Sequence, residues 1–179
     1  MQKLVHETVT HYGRLDFAFN NTGDGHMPLP LAEVSLQDFE RAIRTNILGT
    51  FLCLKYEVPE MLKIGGGSIV NMSSTAGVQG VKGIGGYVAA KHGIIGLSRT
   101  AALDYARQNI RVNVVAPGPI LTERVAKYRE QAAQAVPLGR VGNREEVGST
   151  VPWLCSNLST FVTGAVIPVD GGRTAGSWW

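Results

Sequence analysis

The chain has 179 residues, of which 44% are hydrophobic and 17% charged, with a formal net charge of +3. This balance is typical of a folded domain and excludes a disordered chain. The basic residues are scattered without runs, which argues against nucleic acid as a partner, and neither a signal region nor an apolar stretch of membrane-spanning length occurs. We therefore expect one domain over residues 1–179, in the cytoplasm, with no membrane partner.

The hydrophobic pattern predicts helices and strands in alternation. Strands that are apolar nearly throughout and alternate with helices predict an α/β fold, with a parallel sheet covered on both faces. In chain order the predicted elements are a helix over 2–12 ended by Gly13, a strand from Leu15 to Phe19, a helix from Ser35 to Leu62 with a capping box to Asp38, a strand from Ser68 to Met72, a helix from Tyr87 to Arg107, a strand from Ile110 to Val115, helices over 122–135 and 143–157, the second capped by Asn143 with Glu146, and a strand from Gly164 to Val169.

The long helix that begins at Ser35 has an apolar face at helical spacing. We expect that face to be buried along its whole length. Its members are Phe39, Ile43, Ile47, Phe51 and Leu54.

Tyr87 and Lys91 form the pair with the most direct chemical consequence. Residues four apart share one face of a helix, so the ammonium can lie close to the phenol. A free tyrosine has a pKa of about 10 and is a poor base at neutral pH. A nearby cation favours the phenolate, so we expect Lys91 to lower the pKa of Tyr87.

Four short motifs end or follow the predicted strands, one lies in a predicted helix and one follows a helix, and together they carry a family resemblance. In this order and spacing they resemble the short-chain dehydrogenase/reductase family, over Leu4 to about Gly172. The resemblance implies a Rossmann-like, doubly wound parallel sheet. The motifs are Asn20-Asn21-Thr22-Gly23, Asn46 in Thr45-Asn46-Ile47-Leu48-Gly49, Asn71-Met72-Ser73-Ser74, Asn113 to Gly118, Pro137-Leu138-Gly139-Arg140 and Val169-Asp170-Gly171-Gly172.

The resemblance implies an NAD(P)-dependent oxidoreductase that interconverts a secondary alcohol and its ketone, such as a sugar or small carbonyl compound. Tyr87 then transfers the proton, and Lys91 lowers its pKa and binds the nicotinamide ribose. Ser74 holds the substrate oxygen, and Asn46 positions a water molecule that links Lys91 to solvent. No cluster of residues has metal-ligand spacing, so we expect no metal in catalysis.

Cofactor contacts are also implied by the resemblance, in addition to Tyr87 and Lys91. They are Asn20, Asn21 and Gly23 near the adenosine side, and Pro117, Gly118, Ile120 and Thr122 near the carboxamide. The family usually has alanine at the position of Thr22. For Asn21, the second asparagine of the motif, the alternative to a cofactor contact is a purely structural role. His26 is expected to be exposed in its loop, with the substrate mouth as the alternative.

The family opens with a strand and a Thr-Gly-x-x-x-Gly-x-Gly turn that holds the cofactor pyrophosphate. The sequence has no Gly-x-Gly-x-x-Gly spacing. The resemblance thus implies an N-terminally truncated member without its first βαβαβ part, about seventy residues at thirty or more per βαβ unit. Leu15 to Phe19 is then expected to form an exposed edge strand, and the chain alone to bind NAD or NADP poorly. The residue that distinguishes NAD from NADP in this family would lie in the missing part, so the sequence does not predict which of the two is bound.

Two alternatives stay open beside this reading. One is a catalytically inactive truncated chain that acts only as an oligomerisation partner or remnant; the other keeps the same residues for dehydration or epimerisation. Small residues on the second long helix allow close approach of another helix, either within the chain or in a partner subunit. The resemblance favours a homo-oligomer, a dimer or tetramer. These residues are Gly93, Gly96, Ala101 and Ala102.

Overall fold

In the described part of the chain, four parallel strands form one sheet in the order β1-β2-β3-β4. The structure is a computed structural model and describes residues 1–176. The parallel sheet and the alternation of strands with helices confirm the predicted α/β class. The strands are β1 (Phe17–Asn20), β2 (Gly67–Met72), β3 (Ile110–Pro117) and β4 (Val166–Val169).

Within residues 1–176, eight α-helices accompany these strands. They are α1 (Gln2–Tyr12), α2 (Leu36–Ile43), α3 (Gly49–Lys63), α4 (Gly85–Tyr105), α5 (Glu123–Ala126), α6 (Arg129–Gln134), α7 (Arg144–Gly148) and α8 (Thr150–Cys155). The two helices predicted over 122–135 and 143–157 are each divided into two short ones. In the second case Pro152 lacks the N–H that would bond to the carbonyl of Gly148, which weakens a continuous helix at that point.

The predicted helix ends are formed largely as expected. Gly13 has a φ of 79° and ends α1 in the left-handed conformation that glycine adopts without strain. Ser35 Oγ accepts a hydrogen bond from the Asp38 amide at 3.1 Å and so caps α2. At α7 the Glu146 carboxylate accepts from the Asn143 amide at 2.7 Å, which completes a capping box.

A π-helical turn, Arg44–Leu48, separates α2 from α3 within the helix predicted as continuous. A π-turn contains one residue more than an α-turn, so residues after it are rotated about the helix axis. Phe51 is consequently 43% exposed, although the α-helical period placed it on the buried face. Thr50 is buried in its place, while Leu54 is buried as predicted.

Apolar side chains cover both faces of the sheet. One cluster joins Ile69 of β2 to helices α3 and α4, and a second joins the adjacent Val70 to Leu154 of α8. Successive residues of a strand point to opposite faces, so these two neighbours place the clusters on opposite sides. The doubly wound arrangement is therefore present in the four described strands.

Strand β1 lies at one edge of the described sheet. Its Phe17 and Phe19 side chains are 56% and 43% exposed, as expected for a strand with one neighbour. The small residues of α4 have mixed surroundings. Gly93 approaches Ile47 so closely that a Cβ would lie 2.6 Å from its Cδ1, whereas a Cβ on Gly96 would meet open space.

Candidate active site

The carboxyl ends of the parallel strands meet at one edge of the sheet, and candidate residues follow three of them. Asn20 ends β1, Ser74 lies two residues after β2, and Pro117 ends β3. In open α/β sheets, ligands bind outside the carboxyl ends of the strands. The topology thus brings motifs that are far apart in sequence to the edge where a ligand is expected.

Tyr87 and Lys91 lie one turn apart near the start of α4. Lys91 is only 2% exposed, and its Nζ lies 5.5 Å from the centroid of the Tyr87 ring. That Nζ donates a hydrogen bond to the carbonyl oxygen of Met72 at 3.0 Å. Ser73 Oγ donates to the Lys91 carbonyl at 2.9 Å, so the same turn of α4 is tied twice to the end of β2.

The pKa of Tyr87 differs from the expectation. Burial raises the pKa of the phenol, while the Ser74 hydroxyl and the Arg124 guanidinium lower it and the Asp24 carboxylate raises it further. The expected fall in the pKa of Tyr87 is therefore wrong for this structure, because loss of solvation outweighs the favourable neighbours. The phenol is neutral at neutral pH.

Burial also changes the neighbouring ammonium. It lowers the pKa of Lys91 from 10.5 to about 8, because the charged form loses its solvation. A lysine with a pKa in this range changes charge easily when another group approaches. The pair thus comprises a neutral phenol and a cation that can release its proton near neutral pH.

Ser74 follows β2 and begins a 3₁₀ turn, Thr75–Gly77. Its Oγ accepts a hydrogen bond from the Ala76 amide at 3.2 Å. A serine hydroxyl can accept one bond and still donate its proton to another acceptor. This hydroxyl lowers the pKa of Tyr87, so Ser74 stabilises the ionised form of the phenol.

Asn46 lies in the π-turn and is completely buried. Its Nδ2 donates to the carbonyl oxygens of Asp24 at 2.7 Å and of Ala42 at 2.8 Å. Its Oδ1 has no hydrogen-bond partner among the described residues. A buried polar oxygen without a partner is costly, so it marks a position where a further donor is expected. π-turns of this kind occur frequently at functional sites.

Gly23 lies between Asn46 and Lys91. A Cβ at this position would be 2.8 Å from Asn46 Oδ1 and 2.8 Å from Lys91 Nζ. Contacts this short exclude a side chain unless both polar groups move. The glycine therefore keeps the space between the unpaired oxygen and the buried ammonium free.

The other residues of the same motif divide between structural and exposed positions. Asn20 Nδ2 donates to Glu57 Oε2 at 3.0 Å and to Asn71 Oδ1 at 2.9 Å, so Asn20 joins β1 to β2 and α3. Asn21 and Thr22 are exposed. The structural role considered for Asn21 thus belongs to Asn20.

The segment after β3 carries the remaining candidates. Gly118 donates its amide to the Val169 carbonyl at 3.1 Å, and a Cβ there would lie 2.9 Å from the backbone of Asp170. Thr122 Oγ1 accepts from the Val125 amide at 3.3 Å and caps α5. Pro117 and Ile120 are half-buried beside them. The segment is therefore fixed at both ends, next to the carboxyl end of β4.

His26 corrects an expectation. It is 2% exposed rather than solvent-exposed, and its ring bonds to the start of α4. The sequence around it is rich in glycine and proline, and nothing in that pattern predicts burial of a loop histidine. Its contacts are described below.

Glu57 is a buried carboxylate that the sequence reasoning missed. It is 5% exposed on α3, and burial raises its pKa while the bond from Asn20 lowers it. A signal was present in the sequence, because Glu57 falls on the same helical face as Cys53, Leu54 and Met61. A charged residue on an apolar face predicts a buried partner.

Within residues 1–176, no group of three or more His, Cys, Asp or Glu side chains is arranged to hold a metal ion. In the same range, no helix is both long and apolar enough to cross a membrane. Cys53 and Cys155 are free, and burial raises the pKa of the Cys53 thiol to about 11.

Comparison with known proteins agrees with this geometry. Residues 1–174 match the family model described as Enoyl-(Acyl carrier protein) reductase. The chain is 42% identical to 2,5-dichloro-2,5-cyclohexadiene-1,4-diol dehydrogenase of Sphingobium indicum, covering 98% of this chain and 73% of that protein. It is 43% identical to cyclohexanol dehydrogenase of Acinetobacter sp., covering 98% and 70%.

Among solved structures, ElxO with NADP bound superposes with a TM-score of 0.94 at 34% identity, covering 98% of this chain and 73% of that one. Similarity in sequence and fold thus extends over nearly all of the chain and over more than two thirds of each relative. The order of motifs along the sheet agrees with it as well. The chain therefore belongs to the short-chain dehydrogenase/reductase family of oxidoreductases.

Proposed function

We propose that this chain carries the catalytic side chains of an NAD(P)-dependent oxidoreductase that interconverts a secondary alcohol and its ketone. The observation that carries the proposal is the convergence of Tyr87, Ser74 and Lys91 at the carboxyl edge of the sheet. Lys91 Nζ lies 5.5 Å from the Tyr87 ring, and the Ser74 hydroxyl acts on the phenol. The proposal depends on the three residues together, since each alone also has an ordinary structural role.

Tyr87 is proposed to move the proton of the reaction. In the reductive direction, its Oη–H protonates the carbonyl oxygen as the carbonyl carbon accepts a hydride. In the oxidative direction, the ionised phenolate Oη receives the hydroxyl proton as the carbinol carbon gives up a hydride. The neutral phenol is the protonation state that reduction needs. Ser74 donates a hydrogen bond to the same substrate oxygen and so orients it.

Lys91 and Asn46 are proposed to act after Tyr87 has given up its proton. Lys91 has a pKa of about 8 and lies beside the phenol, so it stabilises the phenolate that forms when Tyr87 gives up its proton. Asn46 Oδ1 is buried without a partner and faces the space that Gly23 keeps free next to Lys91. A water molecule there would connect the ammonium to the amide.

The residues present fit the nicotinamide end of a dinucleotide. When bound, that group accepts or supplies the hydride. Lys91 would bind its ribose, and the fixed segment from Pro117 to Thr122 would border the carboxamide, with Gly23 and Asn21 towards the adenosine. The sequence contains no Gly-x-Gly-x-x-Gly turn for the pyrophosphate, so the proposal assigns no pyrophosphate contact to these residues.

We propose cyclic secondary alcohols as the substrate class. Both curated relatives described above are named for alcohols on a six-carbon ring. The segment over 123–136, where the family has its substrate lid, consists of two short helices, α5 and α6, whose residues are mostly exposed. A panel of cyclohexanol, a linear secondary alcohol and a sugar alcohol, each assayed with NAD and with NADP, would distinguish the substrate classes.

The test of the proposed chemistry is Tyr87→Phe in a version of the protein restored at its N-terminus, with Tyr12→Phe as the matched control because Tyr12 is 73% exposed. Positioned acid–base groups contribute about 10²–10⁴-fold to rate, so turnover should fall by that range while cofactor affinity is retained. Turnover within about tenfold of the parent would contradict the assignment. An equal loss in Tyr12→Phe would indicate a structural effect instead.

A homo-oligomer is the proposed state of assembly. Leu48 at the end of the π-turn and Phe51 of α3 are 42% and 43% exposed, and Leu103 on α4 is 82% exposed. Gly96 on the same helix meets open space and would permit a close helix contact. Light scattering after sizing chromatography of the protein and of Leu103→Glu measures this: a monomeric parent would contradict the proposal.

A further inference from the structure

The segment from Gly23 to Leu29, here called the strap, crosses the start of α4. The carbonyl of Asp24 accepts a hydrogen bond from Asn46 Nδ2 at 2.7 Å, which holds one end. The amide of Leu29 donates to the carbonyl of Gly83 at 2.8 Å, which holds the other. The strap is thus fixed to the π-turn on one side and to the approach of α4 on the other.

His26 lies in the middle of the strap and bonds in two directions. Its Nδ1 lies 2.8 Å from the carbonyl oxygen of the next residue, Met27. Its Nε2 lies 3.2 Å from the amide nitrogen of Gly86. A carbonyl oxygen only accepts, so Nδ1 carries the proton; an amide only donates, so Nε2 is the acceptor. The two partners together require the neutral ring with hydrogen on Nδ1.

Gly86 directly precedes Tyr87, and α4 has no side-chain cap of its own at Ile84. The first amides of a helix have no partner within the helix, so His26 supplies an acceptor that α4 lacks. A Cβ on Gly86 would lie 3.1 Å from His26 Nε2. The imidazole therefore occupies the space that any other residue at position 86 would need.

The strap also touches Tyr87 itself. A Cβ on Gly25 would lie 3.1 Å from Tyr87 Cδ2 and 3.4 Å from its Cβ. The backbone of Gly25 consequently covers one side of the phenol ring. The residues before and after it, Asp24 and His26, are the two that carry hydrogen bonds to the π-turn and to α4.

We propose that His26 is a positioning residue for Tyr87: its neutral imidazole caps the Gly86 amide and holds the strap against the phenol ring. The inference rests on the proposed function, because it assigns His26 an effect on the proton transfer of Tyr87. A displacement of a reacting group by about 1 Å can lower the reaction rate by about a hundredfold. His26 needs no contact with the substrate for this effect.

The test compares His26→Asn with His26→Gln. The amide of asparagine can replace Nδ1 as the donor to Met27 but is too short to reach Gly86. The carbonyl of glutamine can replace Nε2 as the acceptor for Gly86. We expect kcat to fall about tenfold or more in His26→Asn and to stay within about threefold of the parent in His26→Gln, with cofactor affinity unchanged in both.

Hydrogen exchange at the Gly86 amide gives a second readout, since the cap should slow exchange in the parent and in His26→Gln only. Equal loss of kcat in both variants, or parental kcat in His26→Asn, would overturn the inference. If Tyr87→Phe is inactive in the same assay, that result leaves the proposed function standing. An active Tyr87→Phe would overturn both.

Gly25→Ala decides the matter if neither histidine variant folds. It keeps the bonds of His26 and adds a methyl group against the Tyr87 ring. Its matched control is Gly80→Ala, because a Cβ on Gly80 meets nothing within 4 Å. A loss of kcat of about tenfold in Gly25→Ala alone, at unchanged melting temperature, supports the positioning role, and parental kcat contradicts it.

Discussion

The side-chain amide of Asn20 donates a hydrogen bond to the buried carboxylate of Glu57 across 3.0 Å. The same amide nitrogen donates to Asn71, whose own Nδ2 donates to Ser98 Oγ at 2.9 Å. A chain of side-chain hydrogen bonds therefore runs from α3 through β1 and β2 to α4. It lies beneath the edge of the sheet where the candidate catalytic residues are placed.

The first prediction concerns Glu57→Gln. The folded-state pKa of Glu57 lies above its ordinary value, so folding favours the protonated form. That stabilisation is present below the unfolded-state pKa and is lost as pH rises through the folded-state pKa. Glutamine stays neutral and keeps an acceptor for Asn20. We expect Glu57→Gln to be more stable than the parent at pH 7.5, with the difference shrinking towards pH 4.5 by at most about 1.4 kcal/mol per pH unit.

Urea unfolding at several pH values measures this difference. Glu40→Gln on α2 is the control, since Glu40 is exposed and should show no such trend. A Glu57→Gln variant that is less stable than the parent at all pH values would mean that the ionised carboxylate is the favoured form.

The second prediction concerns the stability of Lys91→Met. The pKa of Lys91 is lowered to about 8, so the folded state disfavours the charged ammonium. The favourable contribution of the neutral form is present above the unfolded-state pKa and is lost as pH falls through 8. The variant should therefore gain stability relative to the parent on going from pH 10.5 to pH 7, by on the order of 3 kcal/mol. Lys55→Met, on the surface of α3, serves as the control in the same unfolding experiment.

The third prediction concerns binding and rate in the same variant. Lys91 is proposed to serve both the ribose and the phenol, so Lys91→Met should weaken cofactor affinity as well as kcat. Loss of a charge-assisted hydrogen bond of about 1.5–3 kcal/mol corresponds to about ten- to a hundredfold in affinity. Calorimetric titration of the N-terminally restored protein with NAD and NADP provides the measurement. Unchanged affinity together with a reduced kcat would remove the ribose role and leave the role beside Tyr87.

The fourth prediction concerns Gly23→Ala. Its Cβ would meet Asn46 Oδ1 and Lys91 Nζ at 2.8 Å each. Both contacts are with the ends of side chains, so the chain can still fold while the two polar groups separate. We expect kcat to fall about tenfold or more with a small change in melting temperature, and Gly80→Ala to behave like the parent. A parental kcat in Gly23→Ala would mean that the space between the two groups is not used.

The sequence predicted the parallel sheet and the caps at Ser35 and Asn143, because periodicity and capping are local patterns. It did not predict the π-turn at Asn46. The α-helical period of 3.6 was extended through that turn, which placed Phe51 on the wrong face. A one-residue change of register depends on tertiary contacts that the local pattern does not contain.

The electrostatics of the site were predicted only in part. The proximity of Lys91 to Tyr87 follows from helical spacing, but the direction of the Tyr87 pKa depends on how much solvent both groups lose. The burial of His26 likewise depends on Gly86, sixty residues later in the chain. Such long-range contacts lie beyond what spacing and composition can indicate.

The π-turn limits how this protein can vary in length. Removal of one residue from Arg44–Leu48 would restore an uninterrupted α-helix, with backbone bonds as well satisfied as before. Because the π-turn contains one residue more than an α-turn, this deletion would leave α3 in nearly the same orientation against α2. Leu54 and Met61 would then still pack in the core, but the widened turn that holds Asn46 against the strap would be lost. A single-residue deletion in this turn should therefore spare the core and disturb the candidate site, whereas a deletion elsewhere in α3 would rotate the residues after it by about 100°.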